Sequence, residues 1–345
     1  MIDIKSMFKA ELVEAVKNDG YPSYRAEQIY LWLAKGANSF EQMLNLPKDL
    51  RQKLSVKYYI ANAEIEQKLS SRMDETIKYL FRLSDGEFVE SVLMKYKHGY
   101  TMCISTQVGC KMGCKFCATG KGGFVRNLTA SEMLAQIQSA QLDGNVRVSN
   151  VVLMGMGEPL DNYDNVLRFL RLVSAPDGLN IGMRHISLST CGIIDKMRDL
   201  ANEQLQLTLS VSLHASNDEI RNQLMPINKK FNIEELLTAC KFYIEKTGRR
   251  ISFEYAMISG LNDNDACATE LARKLAGMLC HVNLIPVNGI DNKKSTYKKS
   301  SREQLERFVK ILSRRGITAT VRRTLGADIN ASCGQLRGKA KNQVI

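Results

Sequence analysis

The sequence has no long hydrophobic run: its apolar stretches, such as Val151-Val152-Leu153-Met154, fall far short of the ~20 residues that a membrane-spanning helix needs. Its first residues, MIDIKSMFKAELVEAVKND, are charged and amphipathic and lack the apolar block and small-residue cleavage site of a signal peptide. A cytoplasmic protein with no membrane partner is therefore expected. No internal repeat and no low-complexity linker stands out. Acidic residues are in deficit, 36 Asp+Glu against 48 Lys+Arg, which leaves a net charge of +12. Such a surplus favours a polyanionic partner, nucleic acid first, over a merely basic soluble enzyme. Histidine is scarce, and of the four only His214 sits in a motif; His98, His185 and His281 read as structural. Cysteine is not scarce. Nine cysteines in a cytoplasmic chain argue for metal or redox chemistry rather than a disulfide framework, and an odd number cannot all pair with one another.

At 345 residues the chain has room for one large domain and a smaller one, at about 150 residues per domain. From about residue 101 onward, short β-rich runs alternate with helical patterns. Segments 101–108, 150–156, 185–190, 207–215, 251–258 and 281–288 each read as a buried strand. Thr129-Ala130-Ser131-Glu132 and Ser301-Arg302-Glu303-Gln304 read as capping boxes that open helices. Six strands alternating with helices imply an α/β fold with a parallel sheet, doubly wound or barrel, whose active site lies at the carboxyl ends of the strands. The residues of chemical interest fall there: 110–117, 155–159, 189–192, His214 and Asn288. Upstream, residues 1–62 form a helical accessory domain with the sole tryptophan, Trp32. Residues 63–96 form a β-hairpin extension, IKYLFRL and FVESVLMKY joined at Ser84-Asp85-Gly86. Residues 97–330 are the core and 331–345 a tail. The loop at 291–299 carries four lysines around Tyr297, either a solvated loop or a phosphate-contacting patch with a ring to stack on a base.

Cys110, Cys114 and Cys117 carry the clearest chemistry. Thiolates are soft anionic donors that hold iron–sulfur clusters, and three close ones can ligate three irons of a cubane while leaving the fourth open. Zinc is the competing reading, but a structural zinc site wants a fourth ligand, and no His or Cys follows closely after Cys117. Gly109, Gly113, Gly120, Gly122 and Gly123 permit a tight loop around a cluster.

This loop, with Phe116 before its last cysteine, resembles the radical S-adenosylmethionine (SAM) superfamily. GCKMGCKFCATG, MGMGEPLDNYDNV, HISLSTCGI, SLHAS, LMPIN, HVNLIPVN and GADINASCGQLRG occur in that order and resemble the RlmN/Cfr family of RNA methyltransferases; the likeness extends into YRAEQIYLWL and FEQMLNLPKDLRQKL near the N-terminus. The resemblance implies a partial (β/α)6 TIM barrel, one 4Fe–4S cluster on Cys110, Cys114 and Cys117, and SAM held by Gly157, Glu158, Ser189, Ser212, Leu213, His214 and Asn288. It implies 23S rRNA as partner, tRNA as a second candidate, and a flavodoxin-type electron donor. By the same likeness Cys333 matches the methyl-carrying cysteine, Cys103 its partner thiol and Glu90 the proton acceptor. Carbon 2 of adenine is electron-poor, so ordinary alkylation by SAM fails there. A methyl carried on one cysteine and released by a second thiol answers that difficulty. Gly157-Glu158-Pro159, residues 284–288 and Arg322-Arg323 resemble the carbon-2 rather than the carbon-8 branch. A methylthio-transferase would bring a further cysteine trio, and no cysteine precedes Cys103. A non-catalytic RNA-binding protein with a structural metal leaves Cys103 and Cys333 without a role. Cys191 and Ser332 depart from the family pattern; Cys240, Cys267 and Cys280 read as core residues.

Overall fold

The computed structural model describes residues 1–287 and 297–331. Ten strands form one sheet: β1 (Glu64–Ser70), β2 (Ile77–Arg82), β3 (Phe88–Tyr96), β4 (Gly99–Cys103), β5 (Val148–Leu153), β6 (Ile186–Thr190), β7 (Thr208–Ser212), β8 (Ile251–Met257), β9 (Cys280–Pro286) and β10 (Ala319–Val321). The strands follow chain order across the sheet, and only a separate two-stranded pair intervenes, between β4 and β5. From β4 to β10 all pairings are parallel, as the expected (β/α) barrel requires. The six expected strands are present, and a seventh, β10, adds a short edge.

Side-chain alternation explains the barrel. Val151, Leu188, Leu209, Val211, Phe253 and Tyr255 are fully buried on the outer face, under the helices. The ring of Tyr255, for example, meets Phe308 of the helix Arg302–Arg314 at 5.3 Å. Several inward residues are small or polar, among them Ser189, Ser210, Ser212, Glu254 and Asn283, with Ile285 as an apolar exception. Thr129 and Glu132 form the full capping box that opens the helix Ala130–Gly144. Ser301 caps its helix, but Gln304 turns away to the carbonyl of Asp263.

Two expectations change. The first barrel strand ends at Cys103, and the chain then makes a separate short strand, Gln107–Gly109, which pairs antiparallel with Phe124–Asn127 and frames the cysteine loop. The upstream extension has three strands, and β3 pairs antiparallel with β4, so extension and barrel are one sheet. β1 reads EIEQKLS and is largely exposed, so it offers no apolar alternation to find.

The first 60 residues build a separate hydrophobic cluster around Ile4, Leu12, Ile29, Met43, Leu50 and Leu54, with Trp32 at its rim. Gln138 donates to the carbonyl of Leu33 at 2.8 Å and Arg168 pairs with Glu11 at 2.7 Å, docking this unit onto barrel helices. No helix among the described residues is long and apolar enough to cross a membrane.

Candidate active site

The cysteine loop is shaped by close backbone contacts. Gly109 has φ +77°, and a Cβ there would lie 2.0 Å from the carbonyl oxygen of Gly123, so only glycine fits. Cys110 N–H donates to that same oxygen at 2.8 Å, and Lys115 N–H ties the loop to Leu224 at 2.9 Å. The Cys110, Cys114 and Cys117 side chains line a single cavity of about 170 Å³ at the carboxyl ends of the strands. Burial pushes the Cys110 thiol up to about 12 and the Cys114 thiol higher still. Thiolates in such a place need a compensating positive charge, which a metal cluster brings. Among the described residues no three His, Cys, Asp or Glu side chains gather around a single metal ion. A cubane makes a different demand, one thiolate on each of three irons. The donor set therefore fits an iron–sulfur cluster.

Across the cavity lie Gly157, Glu158, Ser189, Ser212 and His214. Gly157 has φ +103°, and a Cβ would meet the Gln107 side chain at 2.6 Å. Glu158 is buried; its Oε1 accepts from Leu160 N–H at 3.0 Å and its Oε2 from Cys191 N–H at 2.7 Å. Burial holds this carboxyl above its ordinary pKa, and the two N–H donors work against that. His214 has φ +57°, and its Nδ1 accepts from Ala256 N–H at 2.9 Å. The proton is therefore on Nε2. Burial lowers the imidazole pKa to about 3, so the ring is neutral, packed edge-on to Phe116 at 4.7 Å. Leu213 is a spine residue: its side chain is buried and its N–H donates to Glu254 O at 3.0 Å.

Two residues that sequence reasoning did not assign to the site organise it. Arg221, 1% exposed, donates to the carbonyls of Leu213 (3.1 Å), Cys191 (2.8 Å) and Ser212 (3.1 Å) and to Asn228 Oδ1 (2.8 Å). Glu254, whose pKa burial raises, accepts from Asn283 at 2.7 Å and stands 4.0 Å from Arg322 on the cavity wall. A charged residue inside an otherwise apolar strand, ISFEYAM, was the available signal for Glu254. Arg221 had none.

Cys103 is buried beside a second cavity, with Val92, Met94, Pro286 and Ala331. Ile285 and Arg322 line both cavities and form a shared wall. Cys103 and Val92 are register partners across β3 and β4, and Glu90 follows on the same face of β3, paired with Lys78 at 2.9 Å. Asn288, Ser332, Cys333, Lys293 and Lys294 lie outside the described residues. Cys191 is buried among Met225, Ile258 and Val287, with its thiol pushed well up by burial. Tyr297 packs half-buried against that cluster. Cys240 and Cys267 are buried and Cys280 is half-buried. His98 stacks on Tyr96, His185 bonds Asn150, and His281 bonds Thr320.

Comparison with known proteins agrees with this geometry. The radical SAM superfamily model matches residues 104–270, and the model of the ribosomal RNA large subunit methyltransferase N-terminal domain matches residues 2–60. A probable dual-specificity RNA methyltransferase RlmN of Alkaliphilus oremlandii is 53% identical, over 98% of each chain. One of the same name from Clostridium tetani is 52% identical, over 98% of this chain and 96% of its own. The crystal structure of a radical SAM methyltransferase from Sphaerobacter thermophilus superposes with a TM-score of 0.92 at 45% identity, over 98% of this chain and 99% of that one.

Proposed function

Because this chain belongs to the RlmN family of radical SAM methyltransferases, we propose that it methylates carbon 2 of an adenosine in 23S rRNA, and of one in tRNA, through a methylated cysteine and a transient protein–RNA adduct. One observation carries the reading: the cavity lined by Cys110, Cys114 and Cys117 shares a wall with the cavity that holds Cys103 and the start of the C-terminal segment at Ala331. The relatives' description as dual-specificity supports two classes of RNA substrate.

The chemistry that a 4Fe–4S cluster held by Cys110, Cys114 and Cys117 would bring is one-electron cleavage of SAM to methionine and a 5′-deoxyadenosyl radical. The chain's own residues divide the remaining work. Gly157, Glu158, Ser189, Ser212, Leu213, His214 and Asn288 hold SAM, and the neutral His214 ring keeps a donor, Nε2–H, for it. Cys333 carries the methyl group from a first SAM to the base. Glu90, held by Lys78, takes up the proton leaving carbon 2. Cys103 then attacks the Cys333 sulfur of the adduct; the sulfur–carbon bond breaks, its electron pair leaves on the carbon, which takes a proton to become the new methyl group, and a Cys103–Cys333 disulfide remains as the RNA is freed. The excess of +12 charges and the exposed Lys298 and Lys299 supply phosphate attraction. A flavodoxin-type protein supplies the electron.

The test is anaerobic reconstitution with iron and sulfide, then incubation with SAM, a reductant and unmodified rRNA fragments or tRNA. Mass spectrometry should find 2-methyladenosine; 8-methyladenosine alone would overturn the position assigned. Cys114→Ala should neither retain a full cluster nor produce 5′-deoxyadenosine. Undiminished production by an iron-free Cys114→Ala protein would refute the cluster assignment.

A further inference from the structure

After β10 the chain leaves the sheet, and residues 326–331 close on themselves: Ile329 N–H and Ala331 N–H both donate to Gly326 O, at 3.3 and 3.0 Å. Gly326 and Asn330 bracket this turn, with φ +59° and +50°. A Cβ on Gly326 would lie 2.7 Å from that of Ala331 and 2.9 Å from Thr76, so the turn is pressed against the β1–β2 connection. That connection is itself stiffened: Ser71 N–H donates to Thr76 O at 2.9 Å, and Thr76 N–H to Asp74 Oδ1 at 2.9 Å.

Four polar contacts join this turn to the β1–β2 connection and the start of β2, at least 252 residues away in sequence. Asp328 accepts from Ser71 Oγ at 2.7 Å through Oδ1 and from Arg72 N–H at 2.8 Å through Oδ2. Gly326 N–H donates to Asp74 Oδ2 at 3.0 Å. Lys78 Nζ donates to Asn330 O at 3.3 Å while it pairs with Glu90. Ala331, the last residue of this turn, lines the Cys103 cavity. Two further residues extend the chain by at most about 7 Å.

We propose that Asp328, with Asp74 and Lys78, is a positioning residue that clamps the base of the C-terminal segment to the β1–β2 turn, so that the Cys333 thiol meets Cys103 at high local concentration. The inference rests on the reading of Cys333 and Cys103 as carrier and resolver. A tethered thiol gains its advantage from where the tether is fixed, and the clamp fixes it at the cavity rim. Lys78 adds a second alignment, because one ammonium holds both the segment's backbone and Glu90.

The experiment measures the Cys103–Cys333 disulfide in the full-length, cluster-loaded protein, equilibrated anaerobically in glutathione buffers. Each disulfide formed from two thiols converts one oxidised glutathione into two reduced ones, so the buffer ratio at half-oxidation gives an effective thiol concentration. Peptide mass spectrometry identifies the pair. Asp328→Ala should lower that concentration at least ten-fold, and Ser71→Ala several-fold. Lys78→Met should lower it too, and Lys78→Arg should restore most of it. Iron content and SAM affinity should stay at wild-type values, since none of these residues lines the SAM cavity. Values within two-fold of wild type for Asp328→Ala and Ser71→Ala would overturn the clamp. No Cys103–Cys333 disulfide in the wild-type protein at any buffer ratio would instead overturn the carrier and resolver roles, and the clamp with them.

Discussion

Arg221 Nη2 donates to the carbonyl oxygen of Cys191 at 2.8 Å and also to that of Ser212 at 3.1 Å, so one buried guanidinium bridges the carboxyl ends of β6 and β7. Burial lowers its pKa, yet no carboxylate among the described residues bonds it; the charge is met by carbonyl dipoles and by Asn228. The carbonyls it binds belong to residues in or beside the proposed SAM wall.

Arg221→Met should therefore leave several buried acceptors unsatisfied, at a cost of about 1–3 kcal/mol for each one that finds no water. The expected result is a folded protein with a clearly lower urea midpoint and SAM affinity reduced ten-fold or more, measured by equilibrium dialysis. Arg221→Lys, which keeps one or two of the bonds, should fall between. Wild-type SAM affinity in Arg221→Met would mean that the strand ends hold their shape without it.

Removing Cys103 tests the resolver role directly. Cys103→Ala should let the carbon–carbon bond to adenine form and then stall, leaving a denaturation-resistant protein–RNA band linked through Cys333. The band should be missing from Cys333→Ala and from the double variant. A band that persists without Cys333, or none from a cluster-loaded Cys103→Ala protein, would reverse the assignment.

The lysine-rich loop predicts a salt effect. Lys298 and Lys299 are exposed, and Ser259 N–H holds the Lys298 carbonyl at 2.9 Å, so these two ammonium groups project from a fixed backbone. Replacing both, together with Lys293 and Lys294, should flatten the log–log dependence of RNA affinity on salt by close to one unit for each lost phosphate contact. SAM cleavage without RNA should hardly change. An unaltered slope would make this a solvated loop.

A fourth prediction concerns stability. Burial depresses the Lys5 pKa from 10.5 to about 8, with Asp3 opposing; its ammonium donates to Ala61 O at 3.3 Å. Between those two pH values the unfolded chain binds more protons at this site than the folded one, so folding strengthens as pH rises. Lys5→Met lacks this dependence. Its stability relative to wild type should be greatest at neutral pH and should decline by about 1.4 kcal/mol per pH unit above 8, levelling off near 10.5. A difference independent of pH, followed by urea unfolding, would show that Lys5 is solvated in the folded protein.

The sequence displayed whatever depends on local pattern. Strands β5 to β9 were legible from their apolar and β-branched content, nearly continuous in NVVLMGM and alternating with small polar residues in LTLSVSLHA. The cysteine loop was legible because its spacing is itself the chemistry. β1 and β10 were not, since one is charged and exposed and the other three residues long. Arg221 and the Asp328 clamp were hidden for another reason: apart from the Asn228 amide, their partners are carbonyls, an N–H group and a hydroxyl, which carry no sequence signature, and for Asp328 they lie about 256 residues away.

β4 uses one edge for β5 and the other for antiparallel β3, so among the described residues β10 has no strand on which to close the barrel. Among the described residues, the Cys103 cavity lies at this unclosed seam, lined by Val92 and Met94 of β3, Cys103 of β4 and Ile285 and Pro286 of β9. A closed barrel receives its substrate through a mouth, which suits a small molecule or a loose end. A slot admits one unit of a polymer sideways while the chain continues in both directions. An RNA without ends, covalently circular, should enter as readily as a linear one of the same fold.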